Sequence, residues 1–304
     1  MPDENTTTIR GLVEPIDVLD AFESTPRPLD LVLPGMISGT VGSVVAQGGA
    51  GKSWLALEIA VAVAGGPDLL DLGIPAFGQV VYLPAEDPRL AVQHRLHALA
   101  PHLNHEERRA VAEAMTVLPL MGHSVDVMVP AWAEAVERVA DGARLVVLDT
   151  LRRFHAEDEN ASGPMARLLG IMEAICDRTG ASLLFLHHTA KGAALNGGAG
   201  EQQASRGSSV LVDNIRGGQW NLAVMSEAEA RRHGIEPGER RRYVRLVQAK
   251  SNFGSPIGDR WLERGPGGIL TPIHIEERND DDERPRAGTP RPPQGPERRG
   301  RDHG

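Results

Sequence analysis

Apolar segments of two lengths alternate along the middle of the chain. Short apolar runs predict buried strands, and longer segments with apolar residues three and four positions apart predict helices. The predicted strands are 41–45, 79–83, 144–149 and 182–186, and the predicted helices are 54–64, 89–99, 106–115, 131–140 and 165–177. Strands and helices that alternate in this way form a mainly parallel sheet with helices on its faces. The sequence therefore predicts an α/β fold.

The pattern changes after residue 190. A segment rich in Gly and Ser covers 191–209, and a short helical run follows at 208–216. Three further apolar segments occupy 219–225, 243–249 and 268–275. Because no long helix separates these three segments, we expect antiparallel strands that extend the sheet at the C-terminal end.

Both ends of the chain lack the pattern of a folded core. Residues 1–28 contain one amphipathic stretch, whose apolar face comprises Val13, Ile16, Leu19 and Phe22. This stretch packs either on its own domain or, as an arm, on a neighbouring subunit. Residues 276–304 are rich in Pro, Arg, Asp and Gly, and we expect them to be disordered. The folded core is therefore expected to cover residues 29–275.

The composition limits the class of protein. Hydrophobic residues make up 41% of the chain, and no apolar run approaches the roughly 18 residues that a membrane span requires. The polar, acidic N-terminus is unlike a secretory signal, and the one cysteine, Cys176, fits a reducing cytoplasm. The net charge of −9 argues against a broad DNA-coating surface but permits a local basic patch.

A glycine-rich segment between the first predicted strand and helix has the features of a phosphate-binding loop. Its backbone N–H groups can point at phosphate oxygens, Lys52 can reach the terminal phosphates, and Ser53 can bind Mg²⁺. The strict pattern has Gly at position 46, where this chain has Ala46. The sequence thus predicts ATP and Mg²⁺ as ligands, and the expected nucleotide-binding residues are Gly48, Gly49, Ala50, Gly51, Lys52, Ser53 and Trp54.

Acidic residues follow two of the other predicted strands, at the edge where ligands bind in such sheets. Asp149 ends a buried strand and fits a Walker B aspartate that supports the metal, although a helix-capping aspartate is the alternative. Thr150 follows it, so the base that activates water must come from elsewhere. Glu86 is the expected base, and Asp87 is the competing candidate.

His187 and His188 follow the fourth predicted strand. Adjacent residues on a strand point to opposite faces, so the pair is a poor chelator of one ion. We expect one of them, His188 in preference, to form a hydrogen bond near the γ-phosphate. A buried structural histidine is the alternative.

The long loop that follows carries polar and basic side chains suited to a phosphate backbone, including Lys191 and Arg206. It contains no aromatic residue for base stacking, so we expect backbone contact with single-stranded DNA. A plain surface loop is the alternative reading.

Two further cations, Arg216 and Lys250, are candidates for groups that reach the ATP of a neighbouring subunit and stabilise developing charge. Surface salt bridges are the alternative reading for both. Arg152 and Arg153, just after the Walker B acid, face either DNA or a subunit interface.

The order of these motifs resembles the plasmid-encoded RepA hexameric replicative helicases. The strings that carry the resemblance are GGAGKS, YLPAED, LDTLRRFH, FLHHTAKGA and ASRGSSVLVDNIR. The similarity runs from about Pro28 to about Ile275. It implies a RecA-like core and a homohexameric ring with ATP sites between subunits, which translocates on single-stranded DNA.

The resemblance also implies roles for single residues. Glu86 activates water, His188 senses the γ-phosphate, Arg216 is the arginine finger, and Arg206 faces the DNA channel. Related ring helicases often carry Lys-x-Arg near the late strand; Lys250 matches, but Asn252 occupies the second position. This departure places more of the finger role on Arg216.

The sequence favours an ATP-driven helicase of plasmid replication, with an initiator or primase as a further partner. A non-motor, ATP-binding regulator or recombination mediator with the same core is the alternative. A small-molecule kinase is a third possibility, but neither an acceptor pocket nor a lid is evident in the sequence.

Overall fold

The computed structural model describes residues 14–188, 210–254 and 256–276, and within them the strands form two sheets. The small sheet pairs β1 (Leu31–Leu33) with β2 (Met36–Ile37). The strands of the large sheet are β3 (Val41–Ala46), β4 (Val80–Pro84), β5 (Met115–Val117), β6 (Leu145–Asp149), β7 (Ser182–His188), β8 (Gln219–Val224), β9 (Tyr243–Lys250), β10 (Arg260–Arg264) and β11 (Leu270–Ile273). Their order across the sheet is β11-β10-β9-β8-β3-β7-β6-β4-β5.

Helices connect most of these strands. They are α1 (Val18–Glu23), α2 (Lys52–Val63), α3 (Arg89–Leu99), α4 (His105–Ala114), α5 (Pro130–Ala140), α6 (Ser162–Thr179), α7 (Val210–Asn214) and α8 (Glu227–Arg232). Local sequence explains several helix ends. Asn104 begins α4 with a capping box that it forms with Glu107, and Gly180, at φ 72°, ends α6 in the left-handed conformation.

Parallel pairing dominates the large sheet, as the alternation of strands and helices predicts. β3, β7, β6, β4 and β5 pair in parallel, and β9, β10 and β11 add antiparallel strands at one edge. β8 joins the two parts of the sheet: it pairs with β9 in antiparallel, as predicted, and with β3 in parallel, which was not predicted. A strand parallel to β3 must begin on the side of the sheet where β3 begins, and residues 189–218 are a long enough connection to reach that side from the end of β7.

Apolar side chains cover both faces of the parallel strands. Successive residues of β7 alternate between two buried clusters, with Leu184 in the cluster around α2 and Phe185 in the cluster under α5 and α6. Burial on both faces explains why these strands are continuous apolar runs rather than alternating ones. The sheet therefore forms a rigid support for the loops at its edges.

Several predicted features fall at the limits of the described chain. Val13, Lys191, Arg206 and residues 277–304 lie outside the described residues. Between residues 14 and 30, α1 is exposed along its whole length. Among the described residues, no helix is long and apolar enough to cross a membrane.

Candidate nucleotide-binding site

The loop between β3 and α2 adopts a backbone that its glycines permit. Gly49 and Gly51 have φ of 77° and 100°, values that L side chains rarely adopt, and Gly51 is the residue before α2. Ala46, which stands where the strict pattern has Gly, is the last residue of β3. It pairs with His188 of β7 and packs in the core. An alanine fits this position because a strand residue needs no positive φ. Gly49 and Gly51 therefore allow the chain to turn from β3 into α2 within a few residues.

Lys52 lies at the centre of the acidic residues that surround this loop. Its side chain is largely buried, and its Nζ lies 3.5 Å from Nδ1 of His188. Burial lowers the pKa of the Lys52 ammonium below its usual range, and the carboxylates of Asp149, Glu86 and Asp87 oppose this shift. The carboxylates therefore favour the charged form that phosphate binding requires.

Asp149 is held by two hydroxyl groups. Ser53 donates a hydrogen bond of 3.0 Å to Oδ1, and Tyr82 donates one of 2.7 Å to Oδ2. Tyr82 also lies 3.3 Å from the carbonyl oxygen of Ser53. Burial raises the pKa of Asp149, while both hydrogen bonds and the charge of Lys52 lower it. Each carboxylate oxygen is thus satisfied in a buried position.

These groups fit a magnesium ion. Ser53 and Asp149 supply a hydroxyl and a carboxylate at one point, and Mg²⁺ prefers such oxygen donors together with substrate phosphates. Within the described ranges, no cluster of three or more His, Cys, Asp or Glu side chains could hold a metal ion.

The two candidate bases after β4 have different partners. Oε1 of Glu86 accepts a 2.9 Å hydrogen bond from the buried hydroxyl of Thr150, the residue after Asp149. Asp87 instead forms a 2.6 Å ion pair with Arg95, whose guanidinium lies 6.0 Å from the ring of Trp54. Glu86 is therefore oriented toward the Asp149 strand end, while Asp87 is occupied in an ion pair beside Trp54.

The two histidines of β7 have different neighbours, as strand geometry predicts. His188 lies beside Lys52, whereas His187 is buried, with Nδ1 4.0 Å from Oε1 of Glu159. His187 also makes an edge contact with Phe185. Of the two, His188 is the one placed next to the phosphate-binding loop.

Arg264 contacts the phosphate-binding loop from a distant strand of the sheet. Arg264 is the last residue of β10. Its Nη2 donates hydrogen bonds to the carbonyl oxygens of Ala50 at 2.7 Å and Gly49 at 3.2 Å. Burial lowers the pKa of this guanidinium. The contact fixes the carbonyl oxygens of Gly49 and Ala50.

The phosphate-binding loop lies where the parallel strands of the sheet end, whereas Arg216 and Lys250 lie on the opposite side of the sheet, where those strands begin. The N–H of Gly217 donates to the carbonyl of Val41, the first residue of β3, while the loop follows the last residue of that strand. Five residues of strand separate the two levels, which is about 16 Å. Neither cation therefore belongs to the nucleotide site of its own chain.

The backbone around Arg216 is held by two side chains. Lys250 donates a 2.6 Å hydrogen bond to the carbonyl of Asp213, and Asn252 donates one of 3.1 Å to the carbonyl of Arg216. Burial lowers the pKa of Lys250, and the nearby charge of the exposed Arg216 lowers it further. Asn252, in the position where the resemblance expects Arg, thus fixes the main chain of Arg216.

A cleft of about 390 Å³ lies beside Arg152 and Arg153, the two arginines that follow the Walker B acid. Arg152 donates to the carbonyls of His155 and Glu157 within its own loop, and both Arg152 and Arg153 are exposed. Both arginines line the cleft together with His123. Arg152 thus contacts its own loop, and both arginines are exposed to solvent.

Three residues of the site had no predicted role. Tyr82 could have been found as a phenol near the end of an apolar strand, and Thr150 as the residue that replaces a second acid after Asp149. Arg264 had no local signal, because β10 (RWLER) lacks an apolar run and was not predicted as a strand.

Comparison with known proteins places this geometry in a family. A family model described as an AAA domain matches residues 11–194. The fold resembles a solved ATPase domain, with a TM-score of 0.54 and 14% identity over 84% of this chain and 96% of that chain. It also resembles the RadB recombinase, with a TM-score of 0.50 and 14% identity over 85% of this chain and 97% of that one. These similarities confirm the predicted RecA-like P-loop ATPase core.

Proposed function

Since the chain belongs to the AAA domain family, we propose that it is an ATP-dependent DNA helicase. Several copies form a homohexameric ring that translocates on single-stranded DNA during plasmid replication. The observation that carries the proposal is the position of Arg216 and Lys250 at the sheet edge opposite to their own phosphate-binding loop. Cations so placed reach ATP only when a second copy brings its loop to them.

ATP binding follows from the residues around the loop. Lys52 pairs with the β- and γ-phosphates, and the N–H groups from Gly48 to Ser53 surround the phosphate oxygens. Ser53 and Asp149 would hold Mg²⁺. When bound, this ion neutralises charge on the phosphates.

Glu86 positions and deprotonates the attacking water. The Thr150 hydroxyl occupies Oε1, so Oε2 is the atom that accepts the proton. His188, beside Lys52, forms a hydrogen bond to the γ-phosphate and responds to its loss. Arg216 of the next copy stabilises charge that develops on the transferred phosphoryl group.

DNA contact is assigned to the segment that begins directly after His188. Lys191 and Arg206 bind phosphates of the strand, without reading bases. A change at His188 on hydrolysis is therefore passed along the chain to the DNA-binding residues. The net charge of −9 argues against a broad DNA-coating surface but permits a local basic patch, which we place inside the ring.

A non-motor recombination mediator is the second candidate, because the same fold occurs in the RadB recombinase. The two candidates predict different results with a forked duplex. A helicase displaces the strand with ATP hydrolysis, whereas a mediator binds single-stranded DNA and leaves the fork intact. Strand displacement by the parent chain, and none by Lys52→Ala, would support the helicase.

The first experiment measures ATP turnover with and without single-stranded DNA. We expect strong stimulation by DNA in the parent chain, and a loss of about 10²-fold or more in Lys52→Ala and Glu86→Gln. Asp87→Asn serves as the matched control for the base and should retain most of the turnover. An equal rate of ATP hydrolysis with and without single-stranded DNA would contradict the proposed motor function.

Mixed assemblies test the position of the finger. We expect Arg216→Ala and Lys52→Ala chains to be inactive alone, but a shared interface can combine an intact loop from one with an intact finger from the other. We expect partial recovery of ATP turnover on mixing. No recovery, in samples where native mass spectrometry detects mixed rings, would contradict the role of Arg216 between copies.

A further inference from the structure

Glu58 is a buried carboxyl group whose hydrogen bonding is incomplete. It lies on α2, and its Oε1 accepts a 2.8 Å hydrogen bond from the N–H of Leu270, the first residue of β11. Among the described residues, none forms a hydrogen bond with its Oε2. A buried polar group with an unpaired atom is unfavourable, and an apolar side chain would fill the same space without this cost. A role for Glu58 must therefore lie in its bond to Leu270, which joins α2 to the hairpin of β10 and β11.

The turn between β10 and β11, residues 265–269, rests on the same face of α2. Inside the turn, the N–H of Gly268 donates a 3.1 Å hydrogen bond to the carbonyl of Gly265. Gly268 has φ of 102°, and a Cβ at this position would collide with Nε1 of Trp54, so the turn approaches the indole as closely as a glycine permits. Trp54 and Glu58 are four residues apart on the helix and lie one above the other. One face of α2 therefore holds the turn at two points.

The same turn determines where Arg264 lies. Arg264 directly precedes the turn and is the strand partner of Leu270 in the hairpin. Its guanidinium donates to the carbonyls of Ala50 and Gly49, as described above. A Cβ at Gly51 would lie 3.1 Å from Nη2 of Arg264 and 3.9 Å from Cδ1 of Leu270, so both partners of this strand pair face the phosphate-binding loop. A shift of the turn away from α2 would therefore carry the guanidinium off the loop.

We propose that Glu58 is a positioning residue for ATP binding, because its bond to Leu270 holds the β10–β11 turn on α2 and so keeps Arg264 on the phosphate-binding loop. The inference rests on the proposed binding of ATP at this loop. Glu58 acts on the nucleotide only through the turn and Arg264. The role requires a strong hydrogen-bond acceptor at position 58, which a carboxyl or an amide supplies and the thioether of Met does not.

Two substitutions of similar shape separate the acceptor from the packing. Glu58→Gln keeps the acceptor for Leu270, whereas Glu58→Met has a side chain of similar length and helix propensity but lacks it. The binding of AMP-PNP, a non-hydrolysable ATP analogue, is measured with Mg²⁺ and without DNA by calorimetry. We expect Kd to rise about fivefold in Glu58→Met and to stay within about twofold of the parent in Glu58→Gln. The kcat for ATP hydrolysis should stay unchanged in both, and Glu113→Met, exposed on α4, is the control.

A double-mutant cycle tests whether Glu58 acts through Arg264. In an Arg264→Lys chain the planar guanidinium is already absent, so the loss of the Glu58 acceptor has little left to disturb. We expect the double variant to bind AMP-PNP about as weakly as Arg264→Lys alone. A loss of the same size in both backgrounds would show that Glu58 supports the fold independently of Arg264, and would overturn the proposal. Unchanged affinity in a folded Glu58→Met chain would also overturn it.

A second variant moves the turn while Glu58 stays in place. Gly268→Ala adds a Cβ that collides with Trp54, so the turn must shift away from α2. We expect a rise in Kd like that of Glu58→Met, which again disappears in the Arg264→Lys background. Gly238→Ala is the matched control, because Gly238 is exposed and a Cβ there would meet no atom within 4 Å. If Glu58→Met does not fold, parent-like binding by Gly268→Ala would overturn the proposal.

The failure of the proposed function gives a different result from the failure of this inference. A parent chain that binds AMP-PNP but displaces no strand from a fork would contradict the helicase, while the comparison of Glu58→Met with Glu58→Gln would still decide the role of Glu58. A parent chain that binds no AMP-PNP at any concentration would overturn both.

Discussion

The phenol of Tyr82 donates a 2.7 Å hydrogen bond to Oδ2 of Asp149, and both side chains are buried. Burial raises the pKa of the Tyr82 phenol well above its usual range, so it remains a donor at all working pH values. With Ser53 on Oδ1, this bond fixes the carboxylate that we assign to metal binding. Tyr82 thus acts on the site through Asp149 rather than through the nucleotide.

Replacement of Tyr82 by Phe should weaken the proposed metal site. The change leaves one oxygen of a buried carboxylate without its donor, which costs about 1–3 kcal/mol. We expect the Mg²⁺ concentration for half-maximal ATP turnover to rise several-fold. Tyr243→Phe, on β9, replaces the only other tyrosine and is the control. An unchanged Mg²⁺ dependence would show that Ser53 alone orients Asp149.

Thr150 should influence catalysis through Glu86. Thr150→Val keeps the shape of the side chain but removes the hydroxyl that donates to Oε1 of Glu86. We expect kcat for ATP hydrolysis to fall about tenfold, with KM little changed, because the base loses its orientation. Thr150→Ser restores the hydroxyl and should recover most of the rate. Failure of Ser to rescue would point to a packing role.

Arg264 should support ATP binding. Arg264→Lys removes the planar guanidinium that holds the Ala50 and Gly49 carbonyls, so the phosphate-binding loop becomes less ordered. We expect KM for ATP to rise about tenfold, equivalent to about 1.4 kcal/mol of binding. Arg260→Lys, at the other end of β10, is the matched control. Nucleotide affinity that is the same in both variants would contradict this role.

Glu58 should make the stability of the chain depend on pH. It is buried on α2, where Oε1 accepts a 2.8 Å hydrogen bond from the N–H of Leu270, and burial raises the pKa of its carboxyl to about 8. At pH values between the usual pKa of a glutamate and about 8, Glu58 keeps its proton in the folded chain but has lost it in the unfolded chain. The free energy of unfolding therefore decreases as pH rises through this window.

The effect of Glu58 can be isolated by substitution. Its contribution to the fall in unfolding free energy between pH 5 and pH 8 is roughly 3 kcal/mol. Glu58→Gln keeps the acceptor for Leu270 and removes the titration, so urea unfolding should show a smaller loss over this range. Glu113→Gln, exposed on α4, should behave like the parent. A parallel pH dependence in all three proteins would exclude Glu58 as the cause.

Features that depend on local order along the chain could be predicted from the sequence. Apolar runs located the central strands, and the helix α3 begins and ends at the predicted residues. The loop before Lys52 was predicted because its glycines, strand and helix are adjacent in the chain. Since parallel strands place their carboxyl ends at one edge, the same reasoning brought Glu86, Asp149 and His188 to that loop.

The way in which distant segments meet emerged from the folded chain alone. The parallel direction of β8 depends on the path of residues 189–218, which no local pattern encodes. The contact of Arg264 with Ala50 joins residues 214 positions apart, and the Thr150–Glu86 bond joins two neighbouring strand ends. The position of Arg216 at the far edge likewise follows from strand register. Hydrophobic periodicity records which face of an element is buried, but not which partner covers it.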